Sequence, residues 1–575
     1  MRIRALSIVC PALLLLALAF SLAGMRSPLP TGDEATHVMM VQSLWHDHDL
    51  SYEREDLERA ARIWDGGPAG LTLFSGDGGK TLRYGRPLAY PLAALPFYAL
   101  FGVRGIALLN MALFLAMAAA ALWTDPDEPG PPPLLAAGFF LGSAAFAYAF
   151  RLEPEAFLMA CAFFPVLLWR RSRAPWALAG AGILLGAALT SSPLLALLGI
   201  PILIDLAMEK RWRGLAALLV GGLLAAGLLA GMQRVGTGAW AASGGAQRQT
   251  FQTEFPFESP RGLWAGTLPE PGLGAPVAEG LRLLPRNLLY ALAGRYTGLL
   301  PYFPFALLAL FLFLAGPKDR PRALLLAGIL LYVVLVLVLH PHDFTGGPGF
   351  LGSRYLAAVY PAFLFLPGPR EARWSPAFAF LAVGLWTAVA VGGSLPRINP
   401  EAVLQLHAES PAFQRLPLEL TLLAGERLPG FFTRAWGDAV WIVPRAGFFA
   451  EENHPHGVWV RGSTRSEVTV VSPKPIGRLA FTVYSLAAAN ELTLDSGADR
   501  LVVRFDTEGK RNGTPVDLAL RPVARGLGFF PGRTRERFYR FTLEATAGQV
   551  PARIDPRSHD PRDLGVFLDF TGEGL

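Results

Sequence analysis

The feature that most limits what this chain can become is a succession of apolar runs. Each approaches the roughly 20 residues an α-helix needs to cross a bilayer. They fall at Ala5–Gly24, Val103–Trp123, Pro132–Phe150, Pro154–Trp169, Trp176–Thr190 and Pro193–Met208, then at Gly214–Met232, Leu299–Ala315, Ala323–Leu339, Tyr355–Leu366 and Pro376–Gly393. A soluble core does not hold so many apolar helices, so the expectation is a polytopic α-helical membrane protein of about 11 spans. Composition agrees: 17% of residues are charged, against about 25% in soluble proteins.

Short loops between the runs carry arginines and lysines, as at Arg170–Arg171–Arg173, Lys210–Arg211–Arg213, Lys318–Arg320 and Arg370–Arg373. By the positive-inside rule these loops are cytoplasmic, with the N-terminus inside and Ala5–Gly24 a retained span rather than a cleaved signal. Only the loop Asp125–Pro133 departs, having acids and no base. The loops Met25–Arg86 and Gln233–Arg295, and everything beyond Leu395, then lie outside. In Met25–Arg86 two stretches read as helices lying on the membrane surface: Ala35–Trp45, with Val38, Val41 and Trp45 on one face, and Glu53–Trp64. Pro87–Gly102 reads as interfacial or re-entrant. The net charge of +6 forms no basic stripe, which argues against nucleic acid. Cys10 and Cys161 both sit in apolar runs, which excludes a disulfide framework and a Cys-based metal site. Richness in Gly, Ala, Arg and Pro suits a high-GC bacterium and hence a bacterial inner membrane.

After the membrane part, residues 1–395, the chain reads as a partly helical linker over 396–456. From 457 to 575 the apolar period becomes two, in short runs such as Val468/Val470 and Leu479/Phe481/Val483 separated by turn-formers. Roughly eight strands suggest an extracytoplasmic all-β sandwich, jelly-roll-like.

Under this topology acids and arginines meet on the outer face. Asp33 and Glu34 follow the first span; Arg151, Glu153 and Glu155 occupy the turn between the third and fourth. Arg83 and Arg86 precede the proline-broken segment, Arg295 lies just before a span, and Arg354–Tyr355 follow the glycine run Gly346–Gly352. Arginines clamp phosphate oxygens bidentately, and a carboxylate can take a proton from an incoming hydroxyl. The plainer accounts are an N-cap at Asp33, snorkelling arginines and a flexible glycine loop. His46-Asp47-His48-Asp49 suggests a divalent metal such as Mg or Mn, with Asp33, His46 and His48 as candidate ligands; a polar turn is the simpler account.

Four motifs together resemble the GT-C glycosyltransferases of the aminoarabinose-transferase and protein O-mannosyltransferase type. They are Gly32-Asp33-Glu34 before a helix, Arg86-Pro87-Leu88 with Phe101-Gly102 and Arg104, Leu152-Glu153-Pro154, and Gly352-Ser353-Arg354-Tyr355 with Pro361. The resemblance covers residues 1–395. It implies transfer of a sugar from a polyprenyl-phosphate donor to a glycan, lipid or protein acceptor, with inversion. Asp33 would be the general base or orient the acceptor, Glu34 and Glu153 (or Glu155) would support it or bind the acceptor, and Arg86 and Arg354 would hold the donor phosphate. One departure is the turn Thr190-Ser191-Ser192-Pro193, where a Lys is common in that family. The competing readings are a flippase for a lipid-linked sugar, which calls for repeats or mid-membrane charges, and a non-catalytic scaffold, which would tolerate loss of Asp33.

Overall fold

The computed structural model describes residues 32–64, 68, 70–75, 81–122, 133–172, 174–240, 248–251, 277–346, 351–367, 384, 413, 415–425, 434–436, 440–444, 447–449, 452–453, 456–487, 489–505, 513–527, 535–554, 557–558, 560 and 562–570. The expected spans at 5–24 and, but for one residue, 376–393 lie outside this set. So do most of the expected linker and the middle of the Gly346–Gly352 run. The chain divides into two compact units: residues 1–284, 298–340 and 352–398, and residues 285–297, 341–351 and 399–575.

Among the described residues of the first unit, three helices are long and apolar enough to cross a membrane: Val103–Ala121, Trp212–Thr237 and Arg320–Leu339. Two more expected runs form single helices of 17 residues, Glu155–Arg171 and Pro175–Ser191. The remaining four are interrupted. Pro132–Phe150 becomes the helices Pro133–Leu141 and Ala145–Tyr148, and Leu299–Ala315 becomes Leu299–Tyr302 and Pro304–Ala315. Pro193–Met208 and Tyr355–Leu366 each mix an α-helix with a 3-10 stretch. Pro304 and Pro361 sit at two of these breaks, where the ring removes a donor and restricts the residue before it.

The Trp212–Thr237 helix shows why this unit belongs in lipid. Leu223, Leu228 and Val235 are 70%, 66% and 87% exposed, a continuous apolar surface that water would not tolerate. Its one packed face uses glycines: a Cβ at Gly182 would collide with the Leu218 carbonyl and one at Gly186 with that of Gly222. Small residues let two backbones approach in this way where lipid offers no hydrophobic drive.

Of the two helices in the loop after the first expected span, one departs from the expectation of lying on a membrane surface. Asp33–His46 buries every residue from Ala35 to Ser43, so it is enclosed by protein rather than laid on a surface. Arg54–Ile63 is largely exposed, burying Asp56 and Ala60. A three-stranded antiparallel sheet, Arg83–Tyr84, Leu71–Phe74 and Arg248–Phe251, was not legible in the loops and ties both of them together.

The second unit is a sandwich of two antiparallel sheets. One runs in the order Arg500–Phe505, Asn490–Asp495, Arg537–Ala545, Arg465–Ser472, Val440–Pro444, Arg434–Trp436, with Pro522–Arg525 also pairing on Arg537–Ala545. The other runs Thr514–Ala519, Arg478–Ser485, Leu564–Asp569, His456–Arg461, Glu452–Asn453. Valines, leucines and phenylalanines of both sheets share one core, including Val470, Phe481, Leu494, Phe541 and Leu568. Strand Arg478–Ser485 alternates buried and less buried positions throughout, as a half-buried strand must. Three strands fall within the stretch expected to be linker, at 434–436, 440–444 and 452–453.

Candidate active site

The site begins with a glycine. Gly32 caps the Asp33–His46 helix at φ +61°, a conformation that side chains other than glycine resist. A Cβ at Gly70 would come within 3.1 Å of the Gly32 nitrogen, so two chain segments meet backbone to backbone here. Thr36 reinforces the junction: its Oγ1 donates to the Gly32 carbonyl (3.1 Å) and accepts from the Thr72 amide (2.9 Å). No side chain caps this helix. The N-cap account of Asp33 therefore fails; Asp33 is the first helical residue and its carboxylate is engaged elsewhere.

Both Asp33 oxygens face guanidinium groups. Arg86 Nη2 donates to Oδ1 and, at 3.3 Å, to Thr72 Oγ1. Arg354 Nη1 donates to Oδ2 at 3.0 Å, while its Nε lies 3.0 Å from Glu155 Oε1. Beside this group, Arg151 Nε sits 3.0 Å from Glu153 Oε2 and 3.5 Å from Glu34 Oε1, and the Leu152 amide donates to Glu34 at 3.2 Å. Asp33, Glu34, Glu153 and Glu155 are thus gathered with Arg86, Arg151 and Arg354 from segments more than 300 residues apart. The side chains of Asp33, Arg86 and Arg354 are 17%, 19% and 18% exposed, whereas Glu155 is 1% exposed. The front of the cluster reaches solvent; the back is sealed.

Two supports lay outside the sequence reading. Asn110, in the middle of the Val103–Leu122 helix, donates through Nδ2 to Tyr90 Oη (2.9 Å) and to the carbonyls of Arg151 (2.6 Å) and Glu153 (2.9 Å). It holds the acidic turn in place. An asparagine inside an apolar run was the available signal. His37 stands one helical turn after Asp33, edge-on to Tyr90 at 5.3 Å, and among the described residues its Nδ1 has no hydrogen-bond partner.

Electrostatics set these groups apart. Burial raises the proton affinity of Asp33, yet Arg86 and Arg354 outweigh it and hold the carboxyl well below the usual range. Burial, with help from the same two arginines, pushes His37 down to about 3 against the pull of Asp33, so it is neutral at physiological pH. Burial drives Glu153 well up, opposed by Arg151 and assisted by Glu155 and Glu34. Asp33 is therefore firmly ionised beside a neighbour inclined to keep its proton.

Other candidate residues are placed elsewhere. Arg83 donates to the Gly236 carbonyl at 2.6 Å. Arg295 belongs to the second unit, where its buried guanidinium donates to Glu467 at 3.0 Å; its place in the sequence, beside a span, misdirects. Tyr355 adjoins Arg354, but its ring stacks on His340 at 5.3 Å. His46 meets Tyr98 Oη (3.2 Å), His48 bonds the Leu44 carbonyl (3.3 Å), and Asp47 is clamped by Arg59 at 2.6 Å. His46–Asp49 is thus a polar turn. Among the described residues no group of three His, Cys, Asp or Glu side chains is arranged to hold a metal ion. With arginines at both Asp33 oxygens, that donor set does not fit a divalent cation.

No protein-family model matches this sequence, and no curated protein matches it. Solved structures do. The chain is similar to ArnT from Cupriavidus metallidurans. The match to the form bound to undecaprenyl phosphate has 17% identity and a TM-score of 0.37, and covers 72% of this chain and 70% of that one. The apo form matches at 16% identity with the same TM-score. A third similarity is to the arabinosyltransferase EmbB from Mycobacterium smegmatis, at 10% identity and TM-score 0.32, over 99% of this chain and 64% of that one. Superpositions this loose leave the chemistry to be argued from this chain's own side chains.

Proposed function

We propose that this protein is a membrane glycosyltransferase that moves a sugar from a polyprenyl-phosphate donor to an acceptor hydroxyl, on the outer face of a bacterial cytoplasmic membrane. The observation that carries the reading is the meeting of Asp33 with Arg86 and Arg354 at a half-open, acid-rich cluster. The donor class follows from the four motifs that resemble the GT-C family, all of which supply residues of the cluster.

In this reading Arg86 and Arg354 bind the phosphate of the donor. Its oxygens take over the guanidinium protons that now point at Asp33, and the carboxylate, relieved of two positive neighbours, regains proton affinity. Asp33 accepts the acceptor's hydroxyl proton as that oxygen attacks the anomeric carbon. The bond from that carbon to the phosphate oxygen breaks, and polyprenyl phosphate leaves with the electron pair, its charge held by the arginines. A single displacement inverts the anomeric centre. Glu155 keeps Arg354 in place from behind, and Glu34 and Glu153, set around Arg151, orient acceptor hydroxyls. The proposed topology places about 11 spans in the membrane and the sandwich outside.

The test is transfer of label from radioactive polyprenyl-phosphate sugars to a membrane extract, comparing wild type with Asp33→Asn. Transfer by wild type and its loss in a variant that still folds supports the reading. Equal transfer by both removes Asp33 from the chemistry, and no transfer from any such donor removes the function.

A further inference from the structure

One face of the sandwich carries aromatic rings that its core does not use. In the sheet that contains Arg478–Ser485, Leu564–Asp569 and His456–Arg461 as neighbours, Val483, Val566, Leu568, Val458 and Val460 point into the shared core. Alternation along each strand then sends Tyr484, Phe567 and Trp459 to the opposite face. The register sets these three in one row, with Phe567 directly across from Tyr484 on one side and from Trp459 on the other. Ring centroids along the row lie 6.2 and 5.1 Å apart. Phe567 is buried in the middle, while Tyr484 and Trp459 are half-buried at the ends, two strand spacings or about 10 Å apart.

The outer face of an antiparallel sheet is ordinarily polar. Large rings on it can serve to cover glycines. A Cβ at Gly513 would come within 2.6 Å of the Tyr484 ring, and one at Gly457 within 2.6 Å of the Phe567 ring. Those two rings therefore lie over backbone, but this gives no reason for Trp459. Polar groups border the row on both flanks. On one, Asp569 and Thr482 stand directly across from each other, two residues from Phe567 and Tyr484 and so on the same face. On the other is Arg461, two residues past Trp459. Its guanidinium lies over the Phe449 ring at 5.1 Å, and its buried Nε has no hydrogen-bond partner among the described residues.

We infer that this face binds a glycan, a run of sugar rings laid across Tyr484, Phe567 and Trp459. A sugar ring offers apolar C–H faces that stack on aromatic rings, and hydroxyls at its rim that both donate and accept. The Asp569 carboxylate accepts, the Arg461 guanidinium donates and the Thr482 hydroxyl does both, so a hydroxylated chain answers all three. A peptide would add to a strand edge rather than lie on a face, and a nucleic acid calls for a positive surface without the acid. The face belongs wholly to the second unit, and its binding is separate from transfer at Asp33.

The experiment titrates linear hexasaccharides of glucose, mannose and galactose, each beside its monosaccharide, into the full-length protein in phosphatidylcholine nanodiscs, read by calorimetry. At least one hexasaccharide should bind, about ten-fold tighter than its monosaccharide, which covers only one end of the row. Trp459→Ala should weaken that binding about ten-fold, the worth of one lost stacking contact, and Trp459→Phe should restore most of it. Arg461→Gln should weaken it about five-fold; it leaves every ring in place, so it decides the matter if Trp459→Ala does not fold. Absence of binding by all three hexasaccharides overturns the inference, as does an affinity unchanged in the folded variants. Asp33→Asn should bind as tightly as wild type. Binding lost in that variant but kept in Trp459→Ala would place the glycan at the Asp33 cluster and overturn the inference. Failure of the labelled-donor transfer with hexasaccharide binding intact supports it and counts against the proposed enzyme alone.

Discussion

Two clusters in this protein pair arginine with carboxylate, and they are built differently. Around Glu467, Arg295 and Arg540 lie at 3.0 and 3.1 Å, with Arg295 1% and Glu467 8% exposed. Next to Arg295 in the chain, the Tyr296 and Thr297 amides and Thr297 Oγ1 donate to Glu419, at 2.7, 2.8 and 3.0 Å. Acids are enclosed there and supplied with donors. Around Asp33 the pairing is as close, but the group opens to solvent and four acids share three arginines. The first arrangement is finished without a ligand. The second gains from one, because its arginines can exchange a carboxylate for a phosphate.

That contrast can be broken by mutation. Asp33→Asn should lower transfer by about a hundredfold to ten-thousandfold, the usual worth of a general base, with little change in melting temperature; initial rates and a thermal melt check both halves. Arg295→Met should do the reverse. Removing one partner of a buried pair costs about 3–5 kcal/mol, toward the lower end here because Arg540 remains on Glu467. Specific activity of the folded fraction should be unaltered, as denaturant unfolding with parallel rate measurements will show. A smaller effect sharpens the comparison: Asp33→Asn should bind polyprenyl phosphate more tightly than wild type, by about five-fold for one charge-assisted bond no longer to be displaced. Weaker binding by the variant in a titration would mean that Asp33 and phosphate do not compete.

The smallest expected effect concerns Asp56, buried on the Arg54–Ile63 helix. Burial lifts its carboxyl to about 7, although the Glu53 amide and Arg59 pull the other way. Because the folded value exceeds the unfolded one, its contribution to stability is complete below the ordinary carboxylate range and is lost as pH rises through about 7. Hydrogen exchange over residues 50–60 should therefore quicken between pH 6 and pH 8 beyond the intrinsic rate, and Asp56→Asn should flatten that dependence.

Much of this was legible in the sequence, for local reasons. Apolar runs, arginine-bearing loops and period-two strands are repeated signals, and Asp33, Glu34, Glu153, Glu155, Arg86 and Arg354 stood at the ends of such runs. What stayed hidden depends on direction and partnership. Arg83 and Arg86 are three residues apart, yet one meets Gly236 and the other Asp33. Arg295 borders a span and folds with the sandwich. Asn110 differs from its apolar neighbours by one amide, and only the folded chain reveals the carbonyls it holds. The strands at 434–453 are two to five residues long, too short for any period to show.

The Trp212–Thr237 helix has a mechanical consequence. At 26 residues it would be about 39 Å long, more than the roughly 30 Å of a typical hydrocarbon layer, so its last turn, with Gln233 and Arg234, reaches the headgroups, and how far it reaches changes with the helix's tilt and the bilayer's thickness. Glycine contacts to a single neighbour let it swing without tearing a knobbed interface. Near its C-terminal end, Gly236 is held by Arg83, three residues before Arg86. Membrane thickness is thereby geared to the segment that aims an arginine at Asp33, and the proposed transfer should run at different speeds in thin and thick lipid.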